Sequence, residues 1–305
     1  MAGAVAPNPV AGQDSLSPRV QLRVEPAPLT QGTVRWLIVQ LPWDGVDVLG
    51  GTAAGEPIHF ERSPTGEYRG LVGVPVTLSE SLAVMLEVGD GDGTSTIDTV
   101  IAVVAANYPS ETIRVAPAMA KPNPAAAARI QRENARSRQV SLASQNHPRL
   151  WQGPFRVPRD SRITSAFGAA RVYNGEVRSR HLGTDFAGAV GAPVLAAGRG
   201  VIAMVADFYL AGKAVYIDHG QGLVTAYFHL SRADVTAGDT VAAGQRIGAV
   251  GQSGRVTGPH LHWVTRLGTI AVDPMSLLTL EKEEAARVSP DSSSGALRLR
   301  SGQAP

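Results

Sequence analysis

Residues 258–267 read Gly-Pro-His-Leu-His-Trp-Val-Thr-Arg-Leu. In a β-strand, side chains i and i+2 share a face, so His260 and His262 point one way while Leu261 and Trp263 point the other. Two of only seven histidines in the chain then meet at one place. Neighbouring imidazoles in an apolar strand repel when charged and are satisfied by a metal ion or a shared acceptor. Taking this stretch as a strand therefore decides both the fold class of the C-terminal half and the location of its chemistry.

The segments around it follow the same pattern. "APVLAAGRGVIAMVAD", "KAVYIDHG", "LVTAYFHL" and "DTVAAGQRIGAVG" are short, alternating and bounded by Gly or Asp turns. They predict an antiparallel β-sheet domain over 151–280. Upstream, alternation recurs at Val20–Val24, Val34–Ile38, Tyr68–Val74, Leu82–Val88 and Thr99–Val103, separated by turns such as "TQG", "SPTGE" and "GDGDG". That spacing predicts an immunoglobulin-like β-sandwich over 18–116. Between the two, a Pro/Ala-rich break leads to Asn123-Pro124, an N-cap and first-turn proline for "AAAARIQRENARSRQVSLASQ". The segment 117–150 is thus expected to be a linker with one helix. Its larger apolar residues, Ile130, Val140 and Leu142, are too sparse for a coiled-coil seam, so the helix should pack along a domain or space the two. Residues 1–17 and 281–305, without periodicity, are expected to be a flexible tail and a disordered tail.

Composition narrows the chemistry. With 305 residues and 44% hydrophobic content the chain can bury more than one core, and its 33 Gly and 21 Pro suit short strands and tight turns, so the fold class is mostly β. The absence of cysteine excludes disulfides, thiolate nucleophiles and Cys-based metal sites, leaving His and carboxylate as ligands. A net charge of +2 with scattered Lys and Arg leaves no nucleic-acid footprint. No apolar run approaches the ~20 residues of a membrane span. The N-terminal stretch also lacks a basic region followed by an apolar one, so no signal peptide is read in this chain.

Two further patterns accompany the histidine pair. "HLGTDFAG" places His181 and Asp185 four residues apart, where Gly183, Thr184 and Gly188 argue against helix and for a loop entering a strand. "YFHLS" ends a strand with His229. Either alone is ordinarily structural, since a lone His is more often hydrogen-bonded than ligating. His219 in "IDHGQG" reads as turn architecture, and His59 and His147 as surface residues. "GDGDGTSTIDTV" lacks the Gly and Glu of an EF-hand, and "GQSGRVTG" has no Gly-Lys-Ser/Thr of a phosphate loop.

The combination "ITSAFGAARVYNG", "HLGTDFAG", "YFHLS", "VTAGDTVAAGQRIGAVGQSGRVTGPHLHWVT" and "VDP" resembles the catalytic domain of the lysostaphin/LytM family of zinc metallopeptidases, which cut peptide cross-links of bacterial peptidoglycan. The likeness runs from about Pro154 to Pro274. It implies that His181, Asp185 and His262 are zinc ligands and that His229 and His260 are catalytic. All five are present, which counts against a metal-free relative. Two imidazoles and one carboxylate leave the fourth position of a tetrahedral zinc open for water, whose pKa zinc can lower to about 7. His260 or His229 would take its proton and return it to the departing amine, the other steadying the oxyanion. The implied partner is a peptidoglycan peptide and the implied location extracytoplasmic. The N-terminal sandwich would bind wall, cover the groove as a regulatory contact or space the catalyst. Two alternatives stay open: a non-catalytic wall-binding protein that activates other hydrolases, and a zinc peptidase acting on extracellular protein.

Overall fold

The structure, a computed structural model, describes residues 20–89, 93–113, 122–173 and 177–280. The expected tails, the centre of the "GDGDG" turn and the Pro/Ala-rich break up to Lys121 lie outside them. The described chain is mostly β, in sheets of four, four, three and ten strands.

Two antiparallel sheets occupy the N-terminal part. One orders Gln21–Glu25, Val34–Gln40, Tyr68–Gly73 and Glu61–Arg62; the other orders Glu56–Pro57, Asp47–Ala53, Ser81–Gly89 and Thr94–Ala102. Strand alternation in "VRWLIVQ" divides its side chains between two cores. Leu37 and Val39 join Leu82, Val84 and Leu86 between the sheets. Val34, Trp36 and Ile38 turn the other way and join Trp151, Trp263 and Leu267 from the C-terminal half. The strand Asp47–Ala53 escapes an alternation reading because Gly50-Gly51 interrupts it. Gly51 is needed there, since a Cβ would lie 2.5 Å from the Met85 carbonyl oxygen.

The ten-stranded sheet runs Ile163–Ser165, Thr184–Ala187, His260–Leu267, Leu223–Ala233, Gly212–Asp218, Gly200–Phe208 and Thr240–Val241, with three short strands at its margins. Leu261, Trp263 and Leu267 enter the core shared with the N-terminal sheet. His260 and His262 lie on the opposite face, with Val264 and Arg266 following at the same period.

A helix, Pro124–Ser144, covers part of that opposite face. The Asn123 side chain accepts the Ala126 N–H at 2.8 Å, as an N-cap should. The helix docks through Ser137, Ser141 and Ser144, which are buried, and through Val140 against the cluster of Tyr216, Val224 and Val264. Small side chains let it approach the sheet closely. No described helix is long and apolar enough to cross a membrane.

The three-stranded sheet joins the two halves. Ser110–Ile113 pairs in parallel with Ala170–Tyr173, which pairs antiparallel with Val177–Arg180. Its register sets Glu111 opposite Arg171, beside the histidine-bearing strands.

Candidate metal centre

Three adjacent strands assemble the site. Asp185 in Thr184–Ala187 lies directly opposite His262, and His262 directly opposite Phe228 in Leu223–Ala233. His181 enters from the loop before Asp185 and is buried. Gly183 between them makes the turn possible, because a Cβ there would stand 2.7 Å from the His262 ring. The HxxxD spacing is thus a loop-to-strand device, as expected.

His181 Nε2 lies 3.1 Å from Asp185 Oδ1 and 2.9 Å from His262 Nδ1, and His262 Nδ1 lies 2.6 Å from Asp185 Oδ1. These three donor atoms all fall within 4.8 Å of one another. On its far side, His181 Nδ1 lies 3.0 Å from the Ala166 carbonyl and 2.9 Å from Ser165 Oγ. Donating its proton there leaves a lone pair on Nε2 facing two more electron-pair donors, a set that suits a divalent cation. Burial works against ionisation of Asp185, but the His181 and His262 rings beside it outweigh that and hold the carboxyl far below the usual range. Burial, opposed by the Asp185 hydrogen bond, lowers the His262 pKa.

His229 and His260 stand across from this trio, their ring centroids 4.9 Å apart. Each directs Nδ1 at a backbone carbonyl, Ser253 at 2.9 Å for His229 and Gly258 at 2.9 Å for His260. Each Nε2 is left for the cleft, and that of His260 lies 3.7 Å from Asp185 Oδ1. Simple alternation would put His229 opposite Phe228, on the Tyr227 side. A bulge between the pairs Val215–Tyr227 and Lys213–Leu230, with His229 at φ 63°, turns it into the site. Burial, reinforced by His262 and His260, holds its pKa down to about 3.

The five candidate residues are therefore together, four of them on a cleft of ≈ 540 Å³ and His181 beneath it. Sequence reading missed the groups behind them. Ser165 Oγ is 3.0 and 3.1 Å from the Glu111 carboxylate oxygens, and Arg171 donates to Asp185 Oδ2 at 3.2 Å. Ser165 donates to Glu111 and accepts from His181, so a carboxylate from the upstream strand backs the histidine. Ser165 and Arg171 stand within "ITSAFGAAR"; Glu111, 54 residues before Ser165, carries no local signal. Ile130, Glu133, Asn134 and Ser137 of the helix wall the cleft, which the capping pattern could not indicate. Of the other histidines, His219 is fully buried, its ring bonded to the Arg199 carbonyl and to Thr225, consistent with architecture. His147 is exposed, whereas His59 is half-buried against Gln145 at 2.6 Å rather than at the surface.

Comparison with known proteins agrees with this arrangement. The chain is 47% identical over 111 residues to peptidoglycan DD-endopeptidase ShyA of Vibrio cholerae, covering 35% of this chain and 26% of that protein. It is 39% identical over 117 residues to the DD-carboxypeptidase/endopeptidase Mpg of Neisseria meningitidis, covering 38% of this chain and 27% of that protein. The alignments thus span about a quarter of the length of these relatives. A crystal structure of a putative peptidase M23 from Pseudomonas aeruginosa matches 83% of this chain and 96% of its own with a TM-score of 0.61 at 26% identity. The family model described as peptidase family M23 matches residues 179–274, the stretch that carries His181, Asp185, His229, His260 and His262. Residues 179–274 are accordingly a domain of peptidase family M23.

Proposed function

We propose that the chain is a zinc-dependent endopeptidase that hydrolyses peptide cross-links of bacterial peptidoglycan outside the cytoplasmic membrane. The observation that carries this reading is the convergence of two imidazole nitrogens and one carboxylate oxygen beside a cleft that presents two more imidazoles. His181 through Nε2, Asp185 through Oδ1 and His262 through Nδ1 hold the metal. Bound zinc supplies Lewis acidity toward a peptide carbonyl and toward water. His229 and His260 move the proton. With Nδ1–H spent on a carbonyl, each neutral ring offers a lone pair at Nε2. His229, with Nδ1 held by the Ser253 carbonyl and Nε2 turned to the cleft, is the acceptor that takes a proton from the attacking water and returns it to the departing amine. His260, when protonated at Nε2, donates to the oxyanion.

The names of the relatives support the substrate class and, through it, the extracytoplasmic location. We assign residues 18–116 to an immunoglobulin-like sandwich, 117–150 to a linker with its helix and 151–280 to the peptidase domain. The sandwich assignment rests on the two sheets closing over one apolar cluster. A regulatory contact between the N-terminal region and the active site has its candidate in Ser110–Ile113, through Glu111.

Paired variants test the residue roles. His262→Ala should lose bound zinc and activity together. His229→Ala should keep its zinc and lose about 100- to 10,000-fold in rate. Full zinc occupancy in His262→Ala would overturn the ligand assignment.

A further inference from the structure

The strand that presents His260 and His262 to the cleft continues to Arg266, on the same face and lining the same cleft. Arg266 makes no hydrogen bond or ion pair among the described residues, although it is half-buried. The acids on the cleft are already committed. Glu111 takes Ser165, Glu133 takes Arg129 and the Tyr209 N–H, and Asp185 takes His181, His262 and Arg171. Its electrostatic neighbours are the Tyr216 phenol and the like charge of Arg138, and burial lowers its pKa from the usual guanidinium value. A partly desolvated guanidinium without an internal counter-ion, open to a cleft, is a site for an anion from outside.

Resting on the peptidase reading, we propose that Arg266 binds a carboxylate of the peptide substrate and so determines specificity. Four residues along a strand is about 13 Å between the Cα atoms of His262 and Arg266. An extended peptide advances about 3.3–3.6 Å per residue. The bound carboxylate therefore belongs a few residues from the scissile bond, either on a side chain or at a chain terminus. Planar guanidinium geometry favours a two-oxygen carboxylate over a single acceptor.

The test uses the full chain loaded with zinc and soluble cross-linked muropeptides. One portion is native, a second has every carboxylate amidated, and a third has only the terminal carboxylate blocked. Binding is measured first by calorimetry, then cleavage by mass spectrometry. The wild type should bind the native peptide about tenfold to a hundredfold more tightly than the fully amidated one. Loss of this preference on terminal blocking alone identifies the terminal carboxylate; its retention identifies a side chain. In Arg266→Gln the native-to-amidated ratio should fall to near one, and Arg266→Lys should keep part of it, both with wild-type zinc content. A wild type without preference, or an Arg266→Gln variant with the preference intact, overturns the proposal. Because binding is read separately, a peptide that is bound selectively but never cut refutes the peptidase reading and leaves the carboxylate site standing.

Discussion

His229 combines two costs that a merely structural residue would avoid. It is a non-glycine residue at φ 63°, and its ring is buried neutral beside two other imidazoles. A Cβ in the left-handed region costs about 1–2 kcal/mol. His229→Gly should therefore be more stable than His229→Ala by about 1 kcal/mol in urea unfolding, the reverse of the usual order in a strand, with both variants slowed about 100- to 10,000-fold. Equal or inverted stabilities would contradict the strained geometry. His219 gives a pH dependence away from the site. Burial holds its folded pKa at about 4, against an ordinary value of 6.5. Between these values the unfolded chain binds the extra proton, so this contribution is full above pH 6.5 and is lost as pH falls toward 4. The loss amounts to about 3 kcal/mol. Wild type should lose that much more stability than His219→Gln between pH 7 and pH 4, as read from urea midpoints; parallel curves would exclude it. At this scale the histidine pair and HxxxD were legible because strand alternation and a glycine turn fix their directions locally. The aim of His229 was not, because a bulge reverses the alternation that sequence reading assumes.

Among the elements, the strand Ser110–Ile113 links regions distant in sequence. Its parallel pairing with Ala170–Tyr173 delivers Glu111 to Ser165 and thence to His181. Partners behind a ligating histidine typically matter 10–100-fold in metal affinity. Glu111→Gln should thus weaken zinc binding by about tenfold, measured by competition with a chelator, while the folded spectrum is retained. Unchanged affinity would reduce Glu111 to a surface contact. The same element marks a limit of legibility. A four-residue strand has too little periodicity to stand out, and its partner lies more than fifty residues away. The helix Pro124–Ser144 shows the complementary case. Its cap was readable from Asn123-Pro124, but its docking face was not, because serines at 137, 141 and 144 bury a face that carries no hydrophobic signal.

For the whole molecule, the N-terminal sheet and the peptidase region share one core. Val34, Trp36, Ile38 and Leu71 pack with Trp151, Trp263, Leu267 and Val272. Hydrogen bonds cross the same boundary, from the Asp273 N–H to the Gly32 carbonyl at 2.7 Å and from the Thr269 N–H to Glu56 at 2.9 Å. The alternation at Val34, Trp36 and Ile38 announced a strand, but not that its two faces are both buried and serve different halves, since period two is the same whichever core receives the side chain. The strand wall of the cleft is thus backed by packing that begins far upstream of residue 179, and the full chain is the object to assay. The most direct test is digestion of purified peptidoglycan sacculi by the zinc-loaded full chain, with fragments identified by mass and a chelator-treated control. Chelator-sensitive release of peptide fragments, abolished in His262→Ala, is the predicted result and names the scissile bond. Intact sacculi under the same conditions, with zinc bound, would contradict the account.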